Sequence, residues 1–285
     1  PLALLSLWGG AASGGVGVPF LNDIEAHVRF LIALPLFILA EPIVHARLRA
    51  VIAHFTDAGI VPESGRGAFD GILDSAIRWR NSIAVEVALL ALALTVGRSA
   101  WLAEGALKTA TWYAHPGAGG VELTAAGQWY TWVSVPFFQF ITFRWFYRML
   151  VWAGALFRIA RMDLRLVPTH ADRSGGLGFL GTAVEAFAPL VTAQGALVAG
   201  LIASQVFYGG KAVMDFKIEM IGALVLAMAQ VLLPLCVFLP KLAKCRRDGL
   251  HAYGRLCSEY VDRFDWRWIR GQGREGQDLL GHGDI

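Results

Sequence analysis

The sequence predicts an all-α fold: a polytopic transmembrane helical bundle of about six spans with a small cytoplasmic helical layer. Hydrophobic residues make up 56% of the 285-residue chain and charged residues only 16%, and the mean hydropathy is +0.52. Several apolar segments reach the roughly 20 residues that a helix needs to cross a bilayer. The sequence lacks the repeated apolar and polar alternation of barrel strands, so helices are expected to satisfy the backbone in lipid.

Six segments have the length and composition of membrane-spanning helices, and they lie at 2–20, 28–45, 83–101, 129–157, 179–208 and 218–240. The first is rich in glycine and is the weakest of the six. We interpret it as the remainder of a longer helix rather than as a signal peptide, because no basic leader or small-residue cleavage site precedes Asn22.

The positions of arginine and lysine predict the orientation of these spans. The segments after the second and fourth spans are rich in arginine, and the tail after the sixth begins with a basic group, Lys241, Lys244, Arg246 and Arg247. Because basic loops remain on the cytoplasmic side, these three segments are expected to be cytoplasmic. Six spans place both termini in the cytoplasm, whereas five spans would move only the N-terminus outside.

The predicted organisation is a transmembrane domain at 1–240 with a cytoplasmic hairpin extension at 46–81, a cytoplasmic C-terminal helix at 241–270 and a flexible tail at 271–285. The hairpin extension has apolar stripes at helical spacing. The C-terminal helix has another, formed by Leu250, Tyr253, Cys257, Tyr260 and Phe264. Such stripes pack either on helices of the same chain or on another copy in an oligomer.

Arg144 is the most informative residue because it lies in a long apolar and aromatic run. A charged side chain at membrane depth costs about 3 kcal/mol and usually faces the interior of a bundle. Arg148 lies one turn further on the same face. Other spans supply carboxylates at comparable depth, Glu41, Glu86 and Glu185, and Gln139 adds an amide side chain in the same span as Arg144. The spacing therefore predicts a buried charge cluster, which either pins helices together or forms a pathway for an ion, proton or small anion.

The loop between the fourth and fifth spans is rich in glycine and charged residues. Its candidate ligand-binding residues are His170, Asp172, Arg173, Gly175, Gly176 and Gly178. A nest of backbone amides at the start of a helix favours an anion, so this loop is a candidate site for an anion or a lipid headgroup. The alternative is a sharp turn in which Asp172 pairs with Arg173 or caps the next helix.

Three segments resemble a family of bacterial multi-pass inner-membrane proteins: 30–41, 168–180, with its Pro-Thr-His-Ala-Asp-Arg-Ser-Gly-Gly-Leu-Gly sequence, and 279–285. The resemblance covers nearly the whole chain. It implies an inner-membrane location and a multi-pass topology, and it implies no activity, cofactor or catalytic residue.

The sequence contains no enzyme signature such as His-Glu-x-x-His or Gly-x-Ser-x-Gly, and we predict no catalytic residue, metal site or cofactor. The expected partners are membrane lipids and either further copies of the chain or other subunits of a membrane complex. The net charge of +3 gives no support for nucleic-acid binding.

The leading functional interpretation is a channel or transporter for an ion, proton or small anion. The alternatives are a non-transporting subunit or scaffold that docks a partner through its cytoplasmic helices and, less favoured, a lipid-acting membrane enzyme that uses His170 and Asp172.

Overall fold

The computed structural model describes residues 1–97, 99, 111–117 and 120–270, and these residues are mainly helical. The helices are numbered in chain order: α1 (Leu2–Trp8), α2 (Ile24–Asp57), α3 (Arg66–Arg80), α4 (Ile83–Leu92), α5 (125–161), α6 (Gly181–Ala186), α7 (Ala188–Gly209), α8 (Val213–Cys236) and α9 (Leu239–Phe264). One short antiparallel hairpin pairs β1 (Ala114–Gly117) with β2 (Gly120–Leu123). The predicted all-α class is confirmed.

Several helices contain wider π-helical turns. These turns form Val28–Ala33 within α2 and Tyr130–Ser134 within α5, and they continue α4 through Ala93–Gly97 and α9 through Asp265–Ile269. Around its π-turn, α5 consists of the α-helical segments Ala125–Trp129 and Val135–Arg161.

Three helices, α2, α7 and α8, are long and apolar enough to cross a membrane. They coincide with the second, fifth and sixth predicted spans. The apolar helix in the third predicted span is shorter, Ile83–Thr95, and the end of that span at 100–101 lies outside the described residues. Helix α5, which contains the fourth predicted span, is long enough, but its arginine, tyrosine and tryptophan side chains lower its hydropathy.

The prediction of a first span at 2–20 is wrong as a continuous helix. Helix α1 ends at Trp8, and the chain then runs through glycines, of which Gly10 and Gly15 have positive φ. Glycine destabilises a helix interior by about 1 kcal/mol relative to alanine, so the run does not propagate the helix. Instead, Val18 forms a β-bridge with Thr111.

Helix α5 is the central element of the bundle and packs on α2, α3, α4 and α8. Its buried side chains repeat at helical spacing and include Trp145, Met149, Trp152, Leu156 and Ile159. Helix α8 is far less buried than α5, because only 11% of its most apolar 18-residue stretch is buried within the chain. Most of the α8 surface is therefore available to lipid or to another protein.

The hairpin extension packs as the apolar stripes predict. Val51 and Phe55 of α2 are buried, as are Phe69 and Ile72 of α3, and the rings of Phe55 and Phe69 lie 5.8 Å apart. Helix α9 differs, because Gly249 is its only buried residue between Leu239 and Phe264. The stripe on the C-terminal helix is therefore exposed within the described part of this chain.

Candidate functional site

Helix α5 carries Arg144 and Arg148, and each binds a carboxylate of a different neighbouring helix. Nε of Arg144 lies 3.4 Å from Oε1 of Glu86 on α4. Nη2 of Arg148 donates to Oε1 of Glu41 on α2 over 2.7 Å. Helical spacing places both arginines on one face, so α5 connects α2 and α4 through two ion pairs.

Glu185 does not join these pairs, so its predicted place in the cluster is wrong. Helix α6, which carries it, packs on α2, and Glu185 Oε2 accepts from Nη1 of Arg47 there over 3.1 Å. Both side chains of this pair are exposed. Gln139 is partly buried on α5, more than one helical turn before Arg144.

The two ion pairs lie at the side of the bundle rather than in an enclosed interior. The Arg148 side chain is 18% exposed, but that of its partner Glu41 is 51% exposed. The side chains of Arg144 and Glu86 are 36% and 40% exposed. The predicted burial therefore holds only for Arg148, and the charged residues of this region form two ion pairs, Arg144–Glu86 and Arg148–Glu41.

Further polar side chains of α5 attach it to its neighbours. Trp145 Nε1 donates to the Phe37 carbonyl of α2 over 3.1 Å, and the Tyr147 hydroxyl donates to the Trp79 carbonyl of α3 over 2.7 Å. One more bond joins Arg158 Nη1 to Ser75 Oγ on α3, over 3.0 Å. The ion pairs thus belong to a series of interhelical bonds along α5, which is the arrangement expected for polar residues that hold membrane helices together.

A second charged cluster, which the sequence analysis missed, lies at the other end of α2 and α5. Arg29 pairs with Glu25 and donates to the Tyr130 hydroxyl, while Asp23 accepts from Nε1 of Trp112 over 2.8 Å. Trp112 is fully buried and Tyr130 almost so. The four-residue spacing of Glu25 and Arg29 is a signal that could have indicated the pair. No local pattern, in contrast, indicates that Trp112 contacts Asp23.

Aromatic rings fill the space between the Arg29 cluster and the Arg148–Glu41 pair. The ring of Phe138 lies 6.1 Å from that of Phe30 and 5.9 Å from that of Phe37. Such packed rings exclude water. The two charged regions of α2 and α5 are therefore separated by an apolar layer.

The glycine-rich loop forms the predicted nest of amides, but the loop's own Asp172 fills it. Oδ1 of Asp172 accepts from the backbone amides of Ser174 and Gly176, over 2.8 and 3.1 Å, and Oδ2 accepts from that of Gly178 over 2.7 Å. The nest is thus occupied internally, and the prediction of an open site for an external anion is wrong. A Cβ at position 178 would lie 3.0 Å from Cβ and Oδ2 of Asp172, a close approach that favours glycine there.

Backbone conformation and His170 complete the turn. Arg173, Gly175 and Gly176 have φ values of 56°, 65° and 97°, which curl the amides toward one point. His170 Nδ1 lies 2.8 Å from Oδ1 of Asp172. The predicted binding residues are therefore brought together, but to stabilise the turn.

The Asp172 turn is expected to weaken in acid. Burial by itself raises the pKa of the Asp172 carboxyl, but the amides of Gly178, Ser174 and Gly176 and the His170 ring lower that pKa well below its usual range. A depressed pKa contributes stability above the unfolded value, about 4, and that stability is lost as the pH falls further. We expect Asp172→Asn to lower the melting temperature of purified protein at pH 7, and the difference from wild type to shrink below pH 4. The same substitution at exposed Asp70 is the control, and a pH-independent difference would contradict the assignment.

Helix α9 begins by packing on this turn. A Cβ at Gly249 would lie 2.3 Å from Pro168 Cβ, so only glycine permits the contact. A Cβ at Gly175 would meet Leu242 at 3.4 Å, and Lys241 Nζ donates to the Met162 carbonyl. The turn thereby fixes the direction in which α9 leaves the bundle.

Within residues 1–97, 99, 111–117 and 120–270, no group of three or more His, Cys, Asp or Glu side chains is arranged to hold a metal ion. No family model, curated protein or solved structure matches the chain. The likeness to a bacterial inner-membrane family therefore stays a prediction.

Proposed function

We propose that the chain is a non-transporting subunit of the bacterial inner membrane that docks a protein partner through α9 on the cytoplasmic side. The supporting observation is the exposed apolar face of α9, on which Leu250 is 67% and Phe264 45% exposed. A monomeric soluble surface rarely presents a contiguous apolar face of this kind without an interaction role. The first half of the same helix packs on the preceding loop, where Gly249 of α9 lies against Pro168 and Leu242 of α9 lies beside Gly175, so the face is held in a defined position.

The proposed topology has five spans, α2, α4, α5, α7 and α8, with the N-terminus outside and the C-terminus in the cytoplasm. Contacts between α2 and α5 run in the same order along both helices, from Arg29 with Tyr130 to Glu41 with Arg148, as expected of parallel spans. The turn that packs on α9 follows the arginine-rich end of α5. The preference of basic segments for the cytoplasm supports placing both there.

A second candidate function, ion passage, is favoured by the half-exposed ion pairs. Glu41, Glu86 and Arg144 lie at predicted membrane depth with substantial exposed area. Charged groups facing lipid are costly, so these side chains favour contact with water or with another protein chain. If several copies assembled, the pairs would line a polar seam. The aromatic layer around Phe138 argues against a path through a single chain.

Ion flux into liposomes separates the two candidates. We expect purified protein reconstituted in liposomes to move protons, potassium and chloride no faster than protein-free liposomes, because α5 uses its arginines as interhelical bonds. Arg144→Gln and Arg158→Gln are matched variants, since Arg158 lies nearer the end of the same helix and, among the described residues, donates to the Ser75 hydroxyl rather than to a carboxylate. Flux that is lost in Arg144→Gln but kept in Arg158→Gln, with both variants folded, would establish ion passage and refute the docking subunit.

A further inference from the structure

The exposed face of α9 continues the face by which that helix packs on its own chain. Helix α9 contacts the turn at Leu242 and Gly249, and the hydroxyls of Tyr253 and Thr169 lie 3.4 Å apart. Beyond Tyr253 the apolar side chains are exposed in the described part of the chain, with Tyr260 37% and Phe264 45% exposed. We call the set Leu250, Tyr253, Cys257, Tyr260 and Phe264 the α9 stripe.

The spacing of the α9 stripe is that of a coiled coil. Its five members follow one another at intervals of three, four, three and four residues. This average of 3.5 keeps one seam facing a partner helix over several turns, as in the a and d positions of a heptad. Leu256 and Val261, at 51% and 61% exposed, flank the seam and widen it.

The charges beside the stripe favour a helical partner over a lipid surface. Between residues 250 and 265 the acidic residues Glu259, Asp262 and Asp265 outnumber the basic residues Arg255 and Arg263, and Glu259 pairs with Arg263. Helices that lie on anionic membranes carry a basic polar face, whereas the basic residues Lys241, Lys244, Arg246 and Arg247 of α9 all precede the stripe, and the segment that bears the stripe has a small acidic excess. A nearly neutral face also allows two identical helices to approach without strong repulsion.

We propose that the α9 stripe pairs with the α9 stripe of a second copy, as a parallel coiled coil at the cytoplasmic side. The proposal rests on the docking function above and names its partner. Copies inserted in one membrane with one topology present α9 in the same direction, so the pairing is parallel. A parallel, symmetric seam is self-complementary and needs the same residues on both helices.

Cys257 provides the test, because it is exposed in the single chain and occupies an a position of the seam. In a parallel, in-register pair it faces the same residue of the second copy. Two such positions lie within the Cα separation of about 6 Å that a disulfide requires.

The experiment uses the full chain with Cys236→Ser and Cys245→Ser, in native membranes and in proteoliposomes. Mild oxidation is expected to link Cys257 into disulfide dimers in both. The matched control adds Cys257→Ser and Ser258→Cys, which turns the thiol about 100° around the helix and out of the seam. Maleimide should label Cys257 about tenfold more slowly than the thiol at position 258, since a thiol within a seam is shielded from solvent.

The outcomes distinguish this proposal from the docking function. Cross-linking no stronger than in the position-258 control overturns self-pairing. If Cys257 is then slow to label in native membranes but fast in proteoliposomes, a different protein covers the stripe and the docking function stands. Fast labelling of Cys257 in native membranes and in proteoliposomes would show that the stripe is uncovered. Slow labelling in both settings without cross-linking would show that lipid covers it. Either result overturns self-pairing and the docking function.

Discussion

Replacing Gly127 by alanine is expected to destabilise the protein by about 3 kcal/mol or more, near the upper end of what overpacking costs. A Cβ at this position would lie 1.9 Å from the carbonyl oxygen of Tyr113 and 2.8 Å from its carbonyl carbon. Both are backbone atoms and cannot rotate away. The same Tyr113 carbonyl accepts from the Thr124 amide, and Thr124 caps the start of α5 through the Gly127 amide. Relieving the clash therefore disturbs the segment that brings Trp112 to Asp23.

The measurement is the free energy of unfolding of purified protein in detergent. Gly154→Ala is the matched control, because Gly154 lies in the same helix and a Cβ there meets no atom within 4 Å. The control is expected to be neutral or to stabilise by up to about 1 kcal/mol, the usual gain of alanine over glycine in a helix. Equal effects of the two substitutions would show that the close approach of Tyr113 to α5 is incorrect.

The Arg148–Glu41 pair is expected to contribute a coupling free energy of about 2 kcal/mol, between the values for buried and exposed ion pairs. Arg148 is largely buried and its Nη2 lies 2.7 Å from the Glu41 carboxylate, whereas about half of the Glu41 side chain is exposed. Arg148→Met keeps the aliphatic length and removes the charge. This substitution leaves Glu41 unpaired at membrane depth, so it should destabilise more than Glu41→Gln does.

A double-mutant cycle of Arg148→Met with Glu41→Gln measures this coupling from unfolding free energies. The reference cycle, Arg47→Met with Glu185→Gln, tests a pair whose side chains are 47% and 70% exposed. We expect at most about 0.5 kcal/mol there, as for surface ion pairs. A coupling for Arg148 and Glu41 no larger than this reference would mean that the pair does not hold α2 against α5.

The helices that the sequence predicted best are those whose signal is local. Helices α2, α7 and α8 each contain enough consecutive apolar residues to cross a bilayer whatever lies beside them. The second predicted span and the apolar stripe after it form one continuous helix, Ile24–Asp57, as the predicted hairpin extension requires, although this helix begins before Val28. The first predicted span, 2–20, was too long because hydropathy alone does not show how strongly a run of glycines disfavours a helix.

The predicted sites were partly assembled as expected. Arg144 and Arg148 share a face of α5, as helical periodicity requires, but only the packing shows that their partners are Glu86 and Glu41 and that Glu185 binds Arg47. The sequence of the glycine-rich loop is compatible both with an external anion at the amides and with a sharp turn in which Asp172 pairs with Arg173 or caps the next helix. The three hydrogen bonds to Asp172 decide that question.

By itself the sequence determined the all-α class, the apolar helices and the positions of the charged residues along them, because these depend on residue type and on a spacing of 3.6 per turn. Only the tertiary structure decided which charges meet, that Trp112 reaches Asp23 and that the α9 stripe remains exposed. Contacts between residues distant in the chain depend on how whole helices pack. Periodicity specifies the face that a residue occupies, and packing specifies what lies opposite that face.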